Sequence, residues 1–349
     1  MADGRRCAAS CAALIVLAAS ASCAQPPRPS SLRVVATPLP TATPEPTPAP
    51  TVVPAPVARP KAPVSVAAPK PRVTARPKPR PAAPAPRPVS IDAFRGLGAW
   101  IDVYDFNDDP QSILPAVRDI AARGVRTLYL ETARFNSPSP FLFPRANAAA
   151  LEESHRLGMK VVAWYPPDFV DLNRDVAYTL AAVNYVSPAG HRFDAVAPDI
   201  ERLDIKDHNE RTARLLDYSR RVRAGSPAGY PLAAITIPTS SPYYRAQWPS
   251  FPWAEIGRIY DVAMPMAYWT GRKADAPTAA SLTAENLRDT ARMTGLPVHV
   301  IGGVADQIDL AQATAYVDAA LAGGSIGGSL YDYRTSREEI WAPLARVNR

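Results

Sequence analysis

Ser112-Ile113-Leu114-Pro115-Ala116-Val117-Arg118-Asp119-Ile120-Ala121-Ala122-Arg123-Gly124-Val125-Arg126-Thr127-Leu128-Tyr129-Leu130-Glu131 reads as one helix, one stop and one strand. Ser112–Arg123 is amphipathic, Gly124 supplies the backbone freedom that ends a helix, and Val125–Glu131 is an apolar, β-rich run. The unit recurs. Strand signals fall at Leu97–Val103, Val125–Glu131, Met159–Tyr165, Asp194–Ile200, Leu232–Ile237, Tyr260–Ala267, Pro297–Gly302 and Ile326–Asp332. Amphipathic stretches lie between them at Ser112–Arg123, Ala148–Leu157, Arg174–Val186, Asp207–Arg223, Ala284–Thr294 and Asp309–Leu321, and Gly158, Gly295 and Gly323 repeat the stop. The connection from Ile237 to Tyr260 shows no helical pattern and reads as a long, packed loop. Eight such units in residues 91–349 match an α/β fold of the (β/α)8 or TIM-barrel type, which typically takes about 250 residues. A doubly wound open sheet is the alternative. It would want a glycine-rich phosphate turn after the first strand, where the chain has Tyr104-Asp105-Phe106-Asn107-Asp108-Asp109.

The segment before this domain is different in kind. The whole chain has 349 residues, 40 prolines and a formal charge of +7. Residues 25–90 hold 21 of those prolines and ten Lys/Arg against one acid, Glu45, whereas residues 91–349 carry 27 basic and 30 acidic side chains. The basic charge therefore sits in a proline-rich segment with few aromatics, which argues against a nucleic-acid binder. Residues 25–90 cannot bury a core and are expected to be a disordered, extended tether, reaching on the order of 200 Å. Its charge would suit contact with anionic cell-wall polymers or lipid head groups, or would simply keep a soluble spacer from collapsing. Residues 1–24 read as a signal peptide: Arg5 and Arg6, the apolar run Ala12–Ala21, then small residues. Ala19-Ser20-Ala21 suits a soluble secreted product, while Leu17–Cys23 is similar to a bacterial lipoprotein box with Cys23 as the lipidation candidate. Cys7, Cys11 and Cys23 all lie in this segment, so the domain that follows has no disulfide or thiol chemistry.

In barrels of this type the working residues come from the C-terminal ends of the strands. Those ends offer Asp102, Glu131, Trp164 and Tyr165, Asp199 and Glu201, Tyr268 and Trp269, and Tyr331 and Asp332. Carboxylates for hydroxyls or acid–base work, mixed with aromatic faces for sugar rings, point to carbohydrate chemistry. The sharpest feature is Phe193-Asp194-Ala195-Val196-Ala197-Pro198-Asp199-Ile200-Glu201. Side chains two apart on a strand share a face, so Ala197, Asp199 and Glu201 should point to the barrel mouth. Two crowded carboxyls cannot both ionise freely, and the one left protonated can serve as a general acid.

This stretch resembles the fourth-strand signature of family 18 glycoside hydrolases, the chitinase-like barrels, which reads Phe-Asp-Gly-x-Asp-x-Asp-x-Glu. Asp194, Asp199 and Glu201 fall on matching positions, and Met264–Tyr268 is similar to the family's sixth-strand Met-x-Tyr segment. The resemblance implies Glu201 as the acid and Asp199 as the carboxylate that orients a substrate N-acetyl group. The oxygen of that group attacks the anomeric carbon, with Tyr268 as its support. Asp102, Glu131, Trp164, Tyr165, Trp269, Tyr331 and Asp332 are the expected substrate-binding residues. Three positions depart from the pattern: Ala197 replaces the inner Asp, Ala195 replaces the Gly, and Pro198 interrupts a central strand. The single Asp-x-Glu with Asp102 is also similar to family 25 lysozymes, and the domain layout resembles uncharacterised bacterial glycosidase-like barrels. A catalytically silent carbohydrate- or wall-binding barrel is a rival, and so is a two-carboxylate glycosidase pairing Glu201 with Asp102 or Glu131.

Other chemistries find less support. His155, His191, His208 and His299 sit in different units without metal-ligand spacing, and no Gly-x-Ser-x-Gly elbow is present. Asp204, Asp207 and Glu210 suit the cap and solvated face of the next helix. Gly302-Gly303 and Gly327-Gly328 fit close packing better than a phosphate grip. Trp248, Phe251 and Trp253 could pack their loop or form a sugar platform. No metal and no cofactor are expected; the partner is a polysaccharide or glycan, and the protein is expected to be a monomer, exported and extracellular or anchored at the cell surface.

Overall fold

β1 (Gly96–Ile101), β2 (Thr127–Glu131), β3 (Lys160–Tyr165), β4 (Ala195–Pro198), β5 (Ala233–Thr236), β6 (Val262–Pro265), β7 (His299–Val304) and β8 (Gly327–Tyr331) are all paired in parallel. Helices alternate with them: α1 (Leu114–Ala122), α2 (Pro144–Arg156), α3 (Leu172–Asn184), α4 (His208–Gly225), α5 (Pro242–Gln247), α6 (Trp253–Ile259), α7 (Ala276–Thr294), α8 (Leu310–Ala322) and a terminal turn, α9 (Trp341–Leu344). The structure is a computed structural model that describes residues 89–270 and 274–348, all within one contact unit. The expected signal segment with Cys23, and all but the last two residues of the expected linker, lie outside the described residues.

Six strands form one sheet in the order β4-β3-β2-β1-β8-β7, and β5 and β6 form a second. Isolated parallel bridges join them: Val196 to Leu232 and Asp199 to Ile235 on one side, Ala263 to Val298 and Met266 to Ile301 on the other. Strand neighbours thus follow one another in cyclic order, as in a TIM-like fold. Two prolines explain why the ladder thins at these seams. Val196 N and Ile200 N donate to Pro231 O and Ile235 O across the β4–β5 seam, and the amide due between them belongs to Pro198. Ala263 N and Ala267 N donate to Pro297 O and Ile301 O across the β6–β7 seam, and there the intervening residue is Pro265. Proline has no N–H to give.

The two faces of the strands build two cores. The inner one gathers Trp100, Tyr129, Val162, Trp164, Ala197 and Met264; the outer one, between strands and helices, is made of residues such as Leu128, Val161 and Val196. Gly98 has a steric reason: a Cβ there would stand 2.4 Å from the Tyr129 ring, which stacks on Trp100 at 4.3 Å between centroids. Side chains cap several of the helices, α4 and α8 among them. Asp207 accepts the Asn209 and Glu210 amides at 2.8 Å each, and Asp309 closes a capping box with Gln312.

Two local readings need correction. The segment after β5 is not an unbroken loop but holds α5 and α6, each too short for an amphipathic period to show in sequence. Gly323 has φ −82, and it is Gly324, at φ +76, that adopts the left-handed backbone beyond α8. The glycines at 124, 158 and 295 do have positive φ, as helix stops require.

Candidate active site

β4 ends at Pro198, but the chain runs on extended, with Asp199 N donating to Tyr165 O at 2.9 Å and Ile200 N to Ile235 O at 3.0 Å. Phase is therefore kept, and Ala197, Asp199 and Glu201 share the inner face while Val196 and Ile200 enter the outer core. Asp199 and Glu201 open onto a cavity of about 310 Å³ whose wall also includes Trp100, Glu131, Trp164 and Tyr268. Trp100 and Trp164 meet edge to face at 5.8 Å, and Tyr331 lies 6.4 Å from each, giving the cavity an aromatic base.

Withdrawal from water pushes both carboxyls up. Asp199 is held well above the usual carboxylate range by burial, then by repulsion from Glu201 and Glu131; Arg202 pulls it back only in part. Glu201 is raised by burial and lowered by the hydroxyl of Tyr244, which donates to its Oε2 at 2.5 Å, and by Arg202. Glu131 is also raised well above its ordinary value by burial; its Oε2 accepts the Val103 amide at 3.0 Å. One oxygen of Asp199 and the indole N–H of Trp164 are buried at this wall without a hydrogen-bond partner among the described residues. The arrangement can supply a proton from one carboxyl while a second carboxyl accepts from a ligand N–H or O–H.

The structure brings together Glu201, Asp199, Tyr268, Glu131, Trp164 and Tyr331 on one cavity wall. It does not bring Tyr165 or Trp269 there. Tyr165 donates its hydroxyl to Asp175 Oδ1 at 2.7 Å on the helix side of β3, and Trp269 is fully buried against Tyr316, 5.5 Å between centroids. Each is the neighbour of an inward residue, and alternation turns it outward. Asp102 and Asp332 also stay off the wall. Asp102 accepts the Tyr104 amide at 2.8 Å and the Tyr331 hydroxyl at 2.7 Å, so it acts on the cavity through Tyr331. Asp332 is tied to Thr335 N and Oγ1. Asp102, Asp105 and Asp332 place oxygens within 4.8 Å of one another, and burial plus the repulsion of the other two raises Asp105 to about 7. Both effects favour a proton on Asp105.

Tyr244 and Trp100 were missed by the strand-end reading. Trp100 was legible, because it is two residues before Asp102 on the inner face of β1. Tyr244 was not, because α5 carries no period and its place beside Glu201 is a tertiary result. His155 and His191, expected apart, meet at 2.8 Å between Nδ1 atoms, and His155 Nε2 lies 2.9 Å from Asp194 Oδ2. Asp194 also takes the Val161 amide and Lys160, so this group ties the N-terminal end of β4, away from the cavity. Trp248 and Phe251 are buried, with the Trp248 indole donating to Thr212, which favours packing over a sugar platform. Gly302 likewise serves close packing, since a Cβ there would lie 2.4 Å from Leu330.

No protein-family model matches the chain, and no curated protein matches its sequence. Solved structures do match. The Bacillus cereus spore cortex-lytic enzyme SleL superposes with a TM-score of 0.54 at 13% identity, over 73% of this chain and 74% of that one. The chitinase of Rhizomucor miehei gives 0.53 at 13% identity, over 72% and 100%. A family 18 chitinase of Cycas revoluta, solved with allosamidin, gives 0.50 at 12% identity, over 72% and 98%. The fold is that of the family 18 chitinase barrels. Against the family 18 pattern, Ala197 is fully buried in the inner core, where the pattern has a carboxylate, while Asp199, Glu201 and Glu131 line the cavity.

Proposed function

We propose that the domain is a glycoside hydrolase of an N-acetylated cell-wall or chitin-type glycan, working by acid and substrate-assisted catalysis. The observation that carries this reading is the pair Asp199 and Glu201, raised together at the end of β4 on one cavity wall, with an Asp199 oxygen left without a partner among the described residues. Glu201 protonates the glycosidic oxygen. Asp199 accepts the N–H of the acetamido group and turns its carbonyl oxygen toward the anomeric carbon, with Tyr268 as the support for that group. The bond to the leaving oxygen breaks as the carbonyl oxygen bonds to the anomeric carbon, and water then opens the cyclic intermediate, returning the proton to Glu201.

Export and tethering belong to the same proposal and rest on sequence: the Arg5-Arg6 start with its apolar run, Cys23 as lipidation candidate, and the basic proline-rich segment 25–90. The test is a reducing-end assay on chitin, peptidoglycan and plain glucans. Glu201→Gln should reduce hydrolysis at least about a thousandfold without lowering the melting temperature. Undiminished activity in that variant would end the assignment.

A second reading, binding without hydrolysis, is favoured by Ala197 alone. Retention of glycan in a pull-down with no reducing ends released from any of the three polymers would establish it instead.

A further inference from the structure

The rim of the cavity differs from its base. The carboxyls at the base stand on strand ends, whereas the loops beyond β2 and β4 and the first turn of α4 bring Arg134, Arg202, Lys206 and Arg211 to the same cavity. Asp204 is the acid on that rim, and it is engaged by Arg202 through two bonds of 2.7 and 2.9 Å. Arg134 lies over the exposed ring of Tyr104 at 4.6 Å and 3.9 Å from Glu131. Lys206 is exposed and makes no ion pair among the described residues. Arg211 is the sharper case. It is 2% exposed, stacks on Trp248, and its hydrogen bonds go to the carbonyl oxygens of Ile205, Lys206 and Gln247. Burial pulls this guanidinium down from its ordinary value and the charges of Asp204 and Asp207 push it back in part, yet an arginine stays positively charged in a protein.

We propose that the glycan bound here bears a carboxylate that lies against this rim, with Lys206 as the direct contact and Arg211 as the fixed positive charge behind it. The inference rests on the glycan reading above and narrows it from N-acetylated glycans in general to acidic ones. A neutral chain would leave Lys206, exposed at the rim, without a carboxylate partner among the described residues, whereas Asp204 and Asp207 already act on Arg211. An acidic substituent on a sugar held over Trp100 and Trp164 would supply one. The carboxylate could sit on a lactyl ether or be the C6 carboxyl of a uronate, and both present the same charge to the rim.

The test uses the full chain carrying Glu201→Gln, so that ligand is not consumed, and three tetrasaccharides. These are an N-acetylglucosamine tetramer, the same tetramer with lactyl ethers on alternate sugars, and an alternating N-acetylglucosamine–glucuronate tetramer. At low ionic strength at least one acidic tetramer should bind about tenfold tighter than the neutral one, and added salt should shrink the difference. Which acidic tetramer gains identifies the source of the carboxylate. Adding Lys206→Glu at this exposed position should cut the preference to about twofold or less while the melting temperature holds. Equal binding of the neutral and both acidic tetramers overturns the inference and leaves the glycan reading standing, as does an acidic preference that survives Lys206→Glu. Binding of none of the three overturns both.

Discussion

Tyr244, from the short helix after β5, donates its hydroxyl hydrogen to Glu201 Oε2 at 2.5 Å. The bond joins a residue with no sequence signal to the one with the strongest, and it opposes the effect of burial on Glu201. Burial raises that carboxyl; the hydroxyl, by favouring the charged form, lowers it.

Tyr244→Phe removes the lowering influence, so Glu201 stays protonated to higher pH. Because the acid must carry its proton to work, the alkaline limb of the kcat profile should move up in pH. The maximum rate should fall about tenfold as the carboxyl loses its anchor. A limb that stays in place, or moves down, would show that the bond does not tune the acid. Tyr244 is a positioning residue in this account, and the shift in the profile separates that role from a loss of packing.

Glu131→Gln tests the cost of a third buried carboxyl. Its folded value is raised, so the folded state holds the proton where the unfolded chain has released it. Stability conferred by the protonated form is then complete below the unfolded value and lost as pH rises above it. Gln keeps an oxygen for the Val103 amide and cannot ionise. The variant should match the wild type in melting temperature below the unfolded value and exceed it increasingly as pH rises from there toward the folded value. A gap that is constant with pH would argue against the raised value.

Trp164→Ala and Trp269→Ala should fail in different ways. Trp164 faces the cavity, so its loss should raise KM about tenfold or more, with the larger effect on substrate rather than on folding. Trp269 fills the space between the strands and Tyr316, and its removal should cost about 3–5 kcal/mol of stability with KM little changed in the protein that remains folded. Chemical denaturation and steady-state kinetics on the same preparations resolve the two.

These two tryptophans also show where a sequence stops being informative. Asp199 and Glu201 could be placed because their spacing of two is a fixed property of an extended chain. A pair of adjacent aromatics such as Tyr268-Trp269 or Trp164-Tyr165 says only that one of them faces inward. Phase decides which, and Met264, Met266 and Tyr268 carry it for β6 once Met264 is known to be inside. The eight-unit order was legible because glycine stops and β-rich runs are local signals. Tyr244 and the rim cations of the β4 loop were not, since what they face is set by how β5 and α5 return to the mouth.

Pro198 offers the last test, and it separates pairing from phase. Its ring leaves Ala233 O without the amide that the register between Val196 N→Pro231 O and Ile200 N→Ile235 O would supply. Pro198→Ala provides that amide. The new bond should contribute about 0.5–1.5 kcal/mol, and the freer unfolded chain should take back about 0.4–1 kcal/mol, so the net change in stability should stay within about 1 kcal/mol. The decisive readout is the exchange rate of the added amide, which should be as protected as that of Ile200. If it exchanges freely, the β4–β5 seam is open for some reason other than the proline. If it is protected and hydrolysis is unaffected, the seam is a consequence of Pro198 alone, and Asp199 and Glu201 owe their direction to the extended backbone rather than to the missing bond.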